Sequence, residues 1–427
     1  MVSATETITS RERLLATLNH KQPDRIPIDF GGTAVTGVHV SCVAALRDFY
    51  GLEKRPVKVH EPYQMLGILD DDLLDAMGLD LVGVFGRNTM FGFPAERWKS
   101  WMFNGIEVLV PGDFNITVDA KGDTLIYPEG DRTVPPSARM PKDGYFFDSI
   151  IRQEPLDEDK LDPKDNLEEF GFITQEDLDH LARSAKAAQA TGRGAIASLG
   201  GTAFGDIALV PGPMLKHPKG IRDVEEWYVS NIQRRDYVYE VFERQCEIAL
   251  QNLKKIHGAV GGRVTAVFVT GTDFGAQNGP FISPKTYRTL FKPFHVTVNE
   301  WIHANTTWKS FIHSCGSIWR LLDDIVDAGF DCLNPVQTSA ADMGPEALKA
   351  KYGSRVTFWG GGIDTQRVLP FGTPDEVRDM VRYRMAVFGP GGGFVFDTVH
   401  NVQAGIPTEN LLALYEAVAK YRCYPLV

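Results

Sequence analysis

Cysteine is scarce and unpatterned in this chain. The five present, Cys42, Cys246, Cys315, Cys332 and Cys423, are odd in number and share no spacing, which excludes the disulfide framework of a small secreted domain and leaves thiols that are either packed or used as ligands. Positive charge is also short. With 44 Lys and Arg against 55 Asp and Glu, the formal charge is -11, the wrong balance for a surface that neutralises phosphates, so nucleic acid and anionic membranes are excluded as partners. No apolar run approaches the roughly 18 residues of a membrane-crossing helix, and the opening MVSATETITSRERLLATLNH lacks the basic, apolar, small-residue order of a secretory signal. The expected location is the cytoplasm. Internal repeats and low-complexity segments are absent as well.

What is present is enough apolar material for a large core, 43% of 427 residues. Eight short runs of apolar and β-branched residues recur along the chain: IPIDF at 26–30, LVGVF at 81–85, AIASL at 195–199, VTAVFV at 264–269, SFIH at 310–313, DCLN at 331–334, VTFW at 356–359 and FVFD at 394–397. Continuous apolar runs bounded by Gly, Pro or polar turns are the pattern of parallel strands covered by helices. Helix starts lie between them. Ser283-Pro284 supplies an N-cap and a first-turn Pro, Thr373-Pro374-Asp375-Glu376 a capping box, and Thr174 with Asp177 another cap. Eight β-then-α units predict an α/β fold, a (β/α)8 TIM barrel, with the whole chain, 1–427, as one domain.

Residues 91–165 break the alternation. WKSWMF, IEVLV, FNITVD and TLIYPEG are separated by Gly, Asp and Pro turns, which predicts a β-meander inserted between the second and third barrel strands. Its Trp98, Trp101 and Phe103 could close the barrel mouth as a lid; the insertion could equally serve as a subunit contact in a homodimer.

A parallel barrel keeps its reactive groups where the strands end. The first strand ends at Asp29, with Gly31 to Thr33 and His39 behind it; the third ends at Gly200 to Thr202, the fourth at Thr270 to Asp273, the fifth at His313 and Cys315. The sixth gives Asn334, Pro335 and Gln337, the seventh Gly360 to Asp364, the eighth Asp397 and His400. Polar residues gather at one end. Residues two apart on a strand share a face, so His313 and Cys315 point together into the mouth, either as zinc ligands or as a packed, hydrogen-bonded pair. The eighth strand lies near enough for His400 to supply a third ligand; a hydrogen bond within its own turn is the other reading. Asp273 and Asp397 are carboxylates that could complete or tune the shell. Cys332, at the start of its strand, reads as core.

The segments TDFGAQNGPFISPKTYRTLFKPF, FIHSCGSIWRLLDDIVDAGFDCLNPVQ and GGFVFDTVHNVQAGIPTENLLALYEAV resemble the uroporphyrinogen decarboxylase superfamily, and within it the zinc-dependent, corrinoid-linked methyltransferase branch. The opening RERLLATLNHKQPDRIPIDF is also similar, so the resemblance spans most of the chain outside the meander. It implies a (β/α)8 barrel, a zinc ion held by an H-x-C motif after the fifth strand and a Cys near the end of the eighth, and methyl transfer. His313 and Cys315 match the first two ligands; His400 stands where the family has Cys. The arginine-rich motif with which the decarboxylase grips a carboxylated tetrapyrrole is missing after IPIDF, where GGTAVTGVHV follows. No D-x-H-x-x-G cobalamin motif occurs, so the corrinoid would arrive on a separate protein. The function expected is demethylation of a small methylated substrate, with Asp273 and Gln337 as catalytic candidates and His39, Gln277, Asn334 and Asp364 as substrate-binding ones. A zinc-free decarboxylase or lyase using Asp273, corrinoid-free transfer to a thiol or folate, and a non-enzymatic accessory role stand as alternatives.

Overall fold

A computed structural model describes residues 8–426. Seven parallel strands form one sheet in the order Phe394–Val395, Thr357–Trp359, Cys332–Asn334, Lys309–His313, Ala266–Thr270, Gly194–Ser198 and Leu81–Val84. The eighth predicted strand, at 26–30, closes the ring. Ile28 bridges Phe396 in parallel, Asp29 N donates to Phe396 O at 2.9 Å, and on the other side Asp80 N donates to Ile28 O at 3.0 Å. The result is a TIM-like (β/α) barrel whose strands lie within one or two residues of the runs read from the sequence.

Two layers of packing follow from the strand period. One face of the strands meets the outer helices. The other fills the barrel, where Leu81, Ile196, Ala266, Phe311, Cys332, Trp359 and Val395 pack with Leu14 and Leu18 of the helix Ser10–Leu18. That helix starts at a capping box of Thr9 and Glu12 and plugs the end of the barrel opposite the strand ends. Arg13 and Arg25 converge there on Asp80, 2.7 and 2.5 Å away, all three buried. Cys332 is fully buried, as core. Thr174, Ser283 and Thr373 each accept an N-cap hydrogen bond, from Asp177 N, Thr286 N and Glu376 N. The Ser283 helix is less regular than expected: one turn, Pro284–Thr286, passes through a π-turn at Tyr287–Phe291 before Lys292–Asn305. No helix among the described residues is long and apolar enough to cross a membrane.

The β-rich segment is two four-stranded sheets. Ile116–Val118, Thr124–Ile126, Ala138–Met140 and Asp148–Ser149 make an antiparallel meander. The hairpin Lys99–Phe103 and Ile106–Val110 instead joins Val57–Glu61, pairing Val57 with Val108 in parallel. Val57–Glu61, between the first two barrel strands, was not expected from the sequence, although its VKVHE carries a two-residue burial alternation.

Candidate metal centre and cavity

Strand register sets the centre. Phe311, Ile312 and His313 pair with Cys332, Leu333 and Asn334, so the last residue of one strand stands beside the last of the next. His313 Nδ1 is 2.6 Å from Asn334 Oδ1, and Asn334 Nδ2 donates to Trp359 O at 2.9 Å. Since the amide nitrogen is taken by a carbonyl, the amide oxygen faces the ring and His313 donates from Nδ1. Its Nε2 then carries the lone pair, the tautomer a metal ligand needs. Burial holds the His313 pKa down to about 4, so the ring is neutral.

Cys315 lies just past the strand, its Sγ 3.4 Å from His313 Nε2. Successive backbone N–H groups of its turn are all held: Cys315 N donates to Asp273 Oδ1 and Gly316 N to Gln337 Oε1, both at 2.7 Å, and Ser317 N to Ala276 O at 2.8 Å. The hairpin of Gly275–Ala276 and Gly279–Pro280 presses on this turn. A Cβ on Gly275 would lie 2.8 Å from Cys315 O, and one on Gly316, at φ +83°, would lie 2.2 Å from Gly275 O. Only glycines permit that approach. Burial and the neighbouring Asp273 hold the Cys315 thiol well above its ordinary pKa, so without a metal the group is a neutral thiol.

His400 arrives from beyond the eighth strand. Its ring centroid is 5.1 Å from that of His313, and donor atoms of His313, Cys315 and His400 all lie within 4.8 Å of one another. Zn–N and Zn–S bonds of about 2.0–2.3 Å in a tetrahedron separate donors by about 3.3–3.7 Å. The His313–Cys315 pair already has that spacing, and His400 closes the set with a shift of about 1 Å. Two neutral imidazoles and one thiol are a donor set that suits zinc and leaves a fourth position open. The turn hydrogen bond read as the alternative for His400 is present too. Asn401 N donates to His400 Nδ1 at 2.8 Å, which puts the proton of the neutral ring on Nε2; to ligate through Nε2 as a neutral imidazole the ring would move that proton to Nδ1 and give up the Asn401 bond. His400 sits at φ 75°, a left-handed backbone, and Asn401 is anchored behind it by Gly37 N, Ala34 O and Gln64 Oε1 at 2.6–2.9 Å.

The two histidine donors, His313 and His400, line a cavity of about 1160 Å³ together with Asp273, and Cys315 is not on its wall. Asp273 Oδ1 is 3.8 Å from His313 Nε2, and burial raises the carboxyl pKa. Gln277, Asn334, Gln337 and Asp364 are not on the wall. Gln337 holds the Cys315 turn and donates to Gln277 Oε1 at 3.1 Å; Asn334 orients His313. Asp364 is occupied otherwise: its Oδ1 accepts from Gln366 N and Arg367 N at 2.7 and 2.9 Å, an Asx turn that caps its own loop. His39 is on the wall, but its ring nitrogens are engaged by Ser41 Oγ at 2.7 Å and Tyr145 O at 3.1 Å. It caps the helix Val40–Phe49 and ties it to the insertion. Asp397 is fully buried, does not line the cavity, and its carboxyl is raised far above the usual range by burial and by Asp29.

Of the three aromatic residues expected to form a lid, only Trp98 reaches the wall. Trp101 and Phe103 pack on each other at 5.4 Å, and Trp101 on Phe114 at 5.0 Å, as the insertion's own core. The insertion's wall residues are instead Phe146, Phe147, Asp148 and Ser149. Sequence reading missed His60, Glu61, Gln64 and Asp206, which also line the cavity. The first three follow from the unexpected strand Val57–Glu61, whereas Asp206 lies in an irregular loop with no local signal.

Fold and site together define an α/β-barrel enzyme architecture with polar groups at the strand ends. The sequence model described as uroporphyrinogen decarboxylase (URO-D) matches residues 210–421 of the chain. A uroporphyrinogen decarboxylase of Saccharophagus degradans is 31% identical over 105 residues, 25% of this chain and 27% of that protein. One of Psychromonas ingrahamii is 33% identical over 103 residues, 24% and 27% of the two chains. The alignments thus span about a quarter of these curated relatives' length. A methyltransferase from Methanosarcina mazei shares the fold with TM-score 0.54 at 15% identity, over 97% of this chain and 99% of that one.

Proposed function

We propose that this chain is a zinc-dependent methyltransferase that moves a methyl group between a small methylated organic substrate and a corrinoid carried on a separate protein, acting as a demethylase. The observation that carries the reading is the cluster of His313, Cys315 and His400 at the strand ends, whose two histidines line the cavity. Likeness of fold to the Methanosarcina mazei methyltransferase is consistent with it. Bound zinc would supply Lewis acidity toward the heteroatom that bears the methyl group, making that atom a better leaving group.

The chain's own residues do the rest. Asn334 keeps the His313 lone pair on Nε2. Asp273, Gln337 and the Gly275 hairpin fix the turn that presents Cys315. When Cys315 becomes a thiolate ligand its proton must leave, and the Asp273 carboxylate, which accepts from Cys315 N, is an acceptor beside it.

Decarboxylation of a tetrapyrrole polycarboxylate fits poorly. Arg87 is the sole Arg or Lys among the cavity-lining residues, and it is paired with Glu96 and Glu176 at 3.1 and 2.9 Å. The test is zinc quantification in wild type and in His313→Ala, Cys315→Ala and His400→Asn, the last because Asn tolerates a left-handed backbone. About one zinc per chain in wild type and loss in each variant is expected; stoichiometric zinc in all three variants would overturn the site. Consumption of free cob(I)alamin with a panel of methylated donors then tests the reaction.

A further inference from the structure

The cavity holds a charge imbalance that the donor cluster does not use. Its wall includes six carboxylates, Glu61, Asp148, Glu169, Asp177, Asp206 and Asp273, against one guanidinium and no lysine. Arg87 is bound by glutamates at the rim, and Glu169 is held by Arg222 at 2.8 Å. Asp148 is exposed, and the half-buried Asp177 accepts from Thr174 Oγ1 at 2.6 Å. Glu61, Asp206 and Asp273 remain, without a Lys or Arg partner among the described residues. Both Glu61 oxygens accept backbone N–H groups, from Tyr63 and Gln64 at 2.9 and 2.8 Å, which keeps its carboxylate on the wall.

Asp206 is placed differently. Its Oδ1 accepts from Ala208 N at 3.0 Å, while Oδ2 lies over Gly271. A Cβ there would be 2.5 Å from Asp206 Oδ2 and 3.3 Å from Phe268 Cζ, so a missing side chain lets a carboxylate and an aromatic edge meet on the wall. Phe85 and Phe146 supply further rings, the first stacked by His60 at 4.4 Å. Two rings of the same cavity already carry the protein's own cations: Lys58 Nζ lies 5.7 Å from the Trp98 centroid and Lys255 Nζ 5.5 Å from that of Phe172.

We propose that this cavity takes an organic ammonium ion, a methylated amine in its cationic form, with its charge against Asp206 and Phe268 and its carbons against the remaining rings. A carboxylate and a ring face attract the same ligand, a cation too weakly hydrated to resist leaving water. An anion would add like charge to a wall with no free counter-ion, and a neutral ether would leave the carboxylates unpaired. The inference goes beyond the methyltransferase reading: an ammonium nitrogen has no lone pair for a Lewis acid, and binding of the ion needs neither zinc nor corrinoid.

The test is calorimetric titration of the full chain, zinc-free and without corrinoid, with choline and with its neutral isostere 3,3-dimethylbutan-1-ol. Choline is expected to bind about tenfold or more tightly than the alcohol, a preference that Asp206→Asn reduces about fivefold or more while the alcohol's affinity stays unchanged. Glu61→Gln, a second variant that weakens the negative field, lowers the same preference and serves if Asp206→Asn does not fold. Equal binding of alcohol and choline, binding of 2-methoxyphenol where choline does not bind, or a preference untouched by both substitutions would each overturn the proposal. Failure of the methyltransferase reading registers separately, as zinc-loaded enzyme that binds choline but consumes no cob(I)alamin with any methylated donor.

Discussion

Replacing Asp206 with Asn should stabilise the protein at alkaline pH and leave it nearly unchanged in acid. Burial lifts the Asp206 carboxyl from 3.8 to about 7, its bond from Ala208 N pulls the other way, and the charge of Asp273 adds to the rise. The native state therefore binds the proton more tightly than the unfolded chain does. Stability contributed by the protonated group is fully present below the unfolded pKa near 4 and is lost as pH rises through about 7. A rise of about 3 units corresponds to a ceiling of about 4 kcal/mol at about 1.36 kcal/mol per unit. The side chain is half-buried and water in the cavity relieves part of this, so the expected gain for Asp206→Asn is about 1–3 kcal/mol. Asn keeps an oxygen for Ala208 N, so no cap is lost. Urea unfolding of both proteins in chelator, at about pH 4 and about pH 8.5, reads the difference through the midpoints. Equal midpoints at the higher pH, or a less stable variant there, would refute the reasoning. A charge kept in a place where it destabilises the empty protein is the expected cost of a ligand-binding group, and the same substitution that stabilises should reduce the preference for choline.

Three further outcomes follow from the geometry. Asn334→Leu removes the acceptor that orients His313 and should weaken zinc binding about 10–100-fold in a competitive chelator titration while circular dichroism stays native; unchanged affinity would mean the Asn334 contact does not set the tautomer. Gly316→Ala forces a Cβ against Gly275 O at a backbone conformation suited to glycine, and should cost about 1–3 kcal/mol and lose zinc, a result contradicted by wild-type stability and stoichiometry. Asp80→Ala removes the buried carboxylate that Arg13 and Arg25 share while Arg13 keeps its pair with Asp24, and should destabilise by about 2–4 kcal/mol in chemical denaturation; a loss below about 1 kcal/mol would show that the shared carboxylate at the closed end of the barrel is dispensable.

The barrel was legible because its signals are local. Each strand is a short apolar run flanked by turn residues, and the caps at Thr174, Ser283 and Thr373 use side chains within three positions of the bonds they make. Val57–Glu61 escaped because VKVHE is half polar and its partner, Ile106–Val110, lies some fifty residues away. Two of the aromatic residues were misplaced for a related reason: aromatic residues at alternate positions of a hairpin identify a buried face but not which core buries it, and Trp101 packs on Phe103 and Phe114 rather than over the mouth. Asp364 failed because a carboxylate after a glycine-rich turn has backbone N–H groups of its own within reach, and these took it.

The donor cluster was only half legible, and the difference lies in how each residue is held. His313 and Cys315 share one strand end, so strand geometry alone brings them together, and the register that adds Asn334 is the pairing of adjacent parallel strands. His400 cannot be placed that way. It lies three residues past Asp397 with no glycine at its own position, and nothing in VHNVQAG marks residue 400 as the one that turns left-handed. What holds it is distant in sequence: Asn401 is fixed by Gly37, Ala34 and Gln64, and Thr398 Oγ1 donates to the His400 carbonyl. A histidine kept at φ 75° costs about 1–2 kcal/mol against a right-handed or extended backbone, and the cost is met by contacts from three separate segments. Strain of that kind survives where surrounding structure over-determines it, which is most often at a site. If the ring served only its bond with Asn401, glycine at 400 would relieve the backbone and lose little. His400→Gly should therefore separate the two roles, leaving thermal stability near wild type or above it while zinc binding falls; a stability loss with zinc retained would assign the ring to the turn instead.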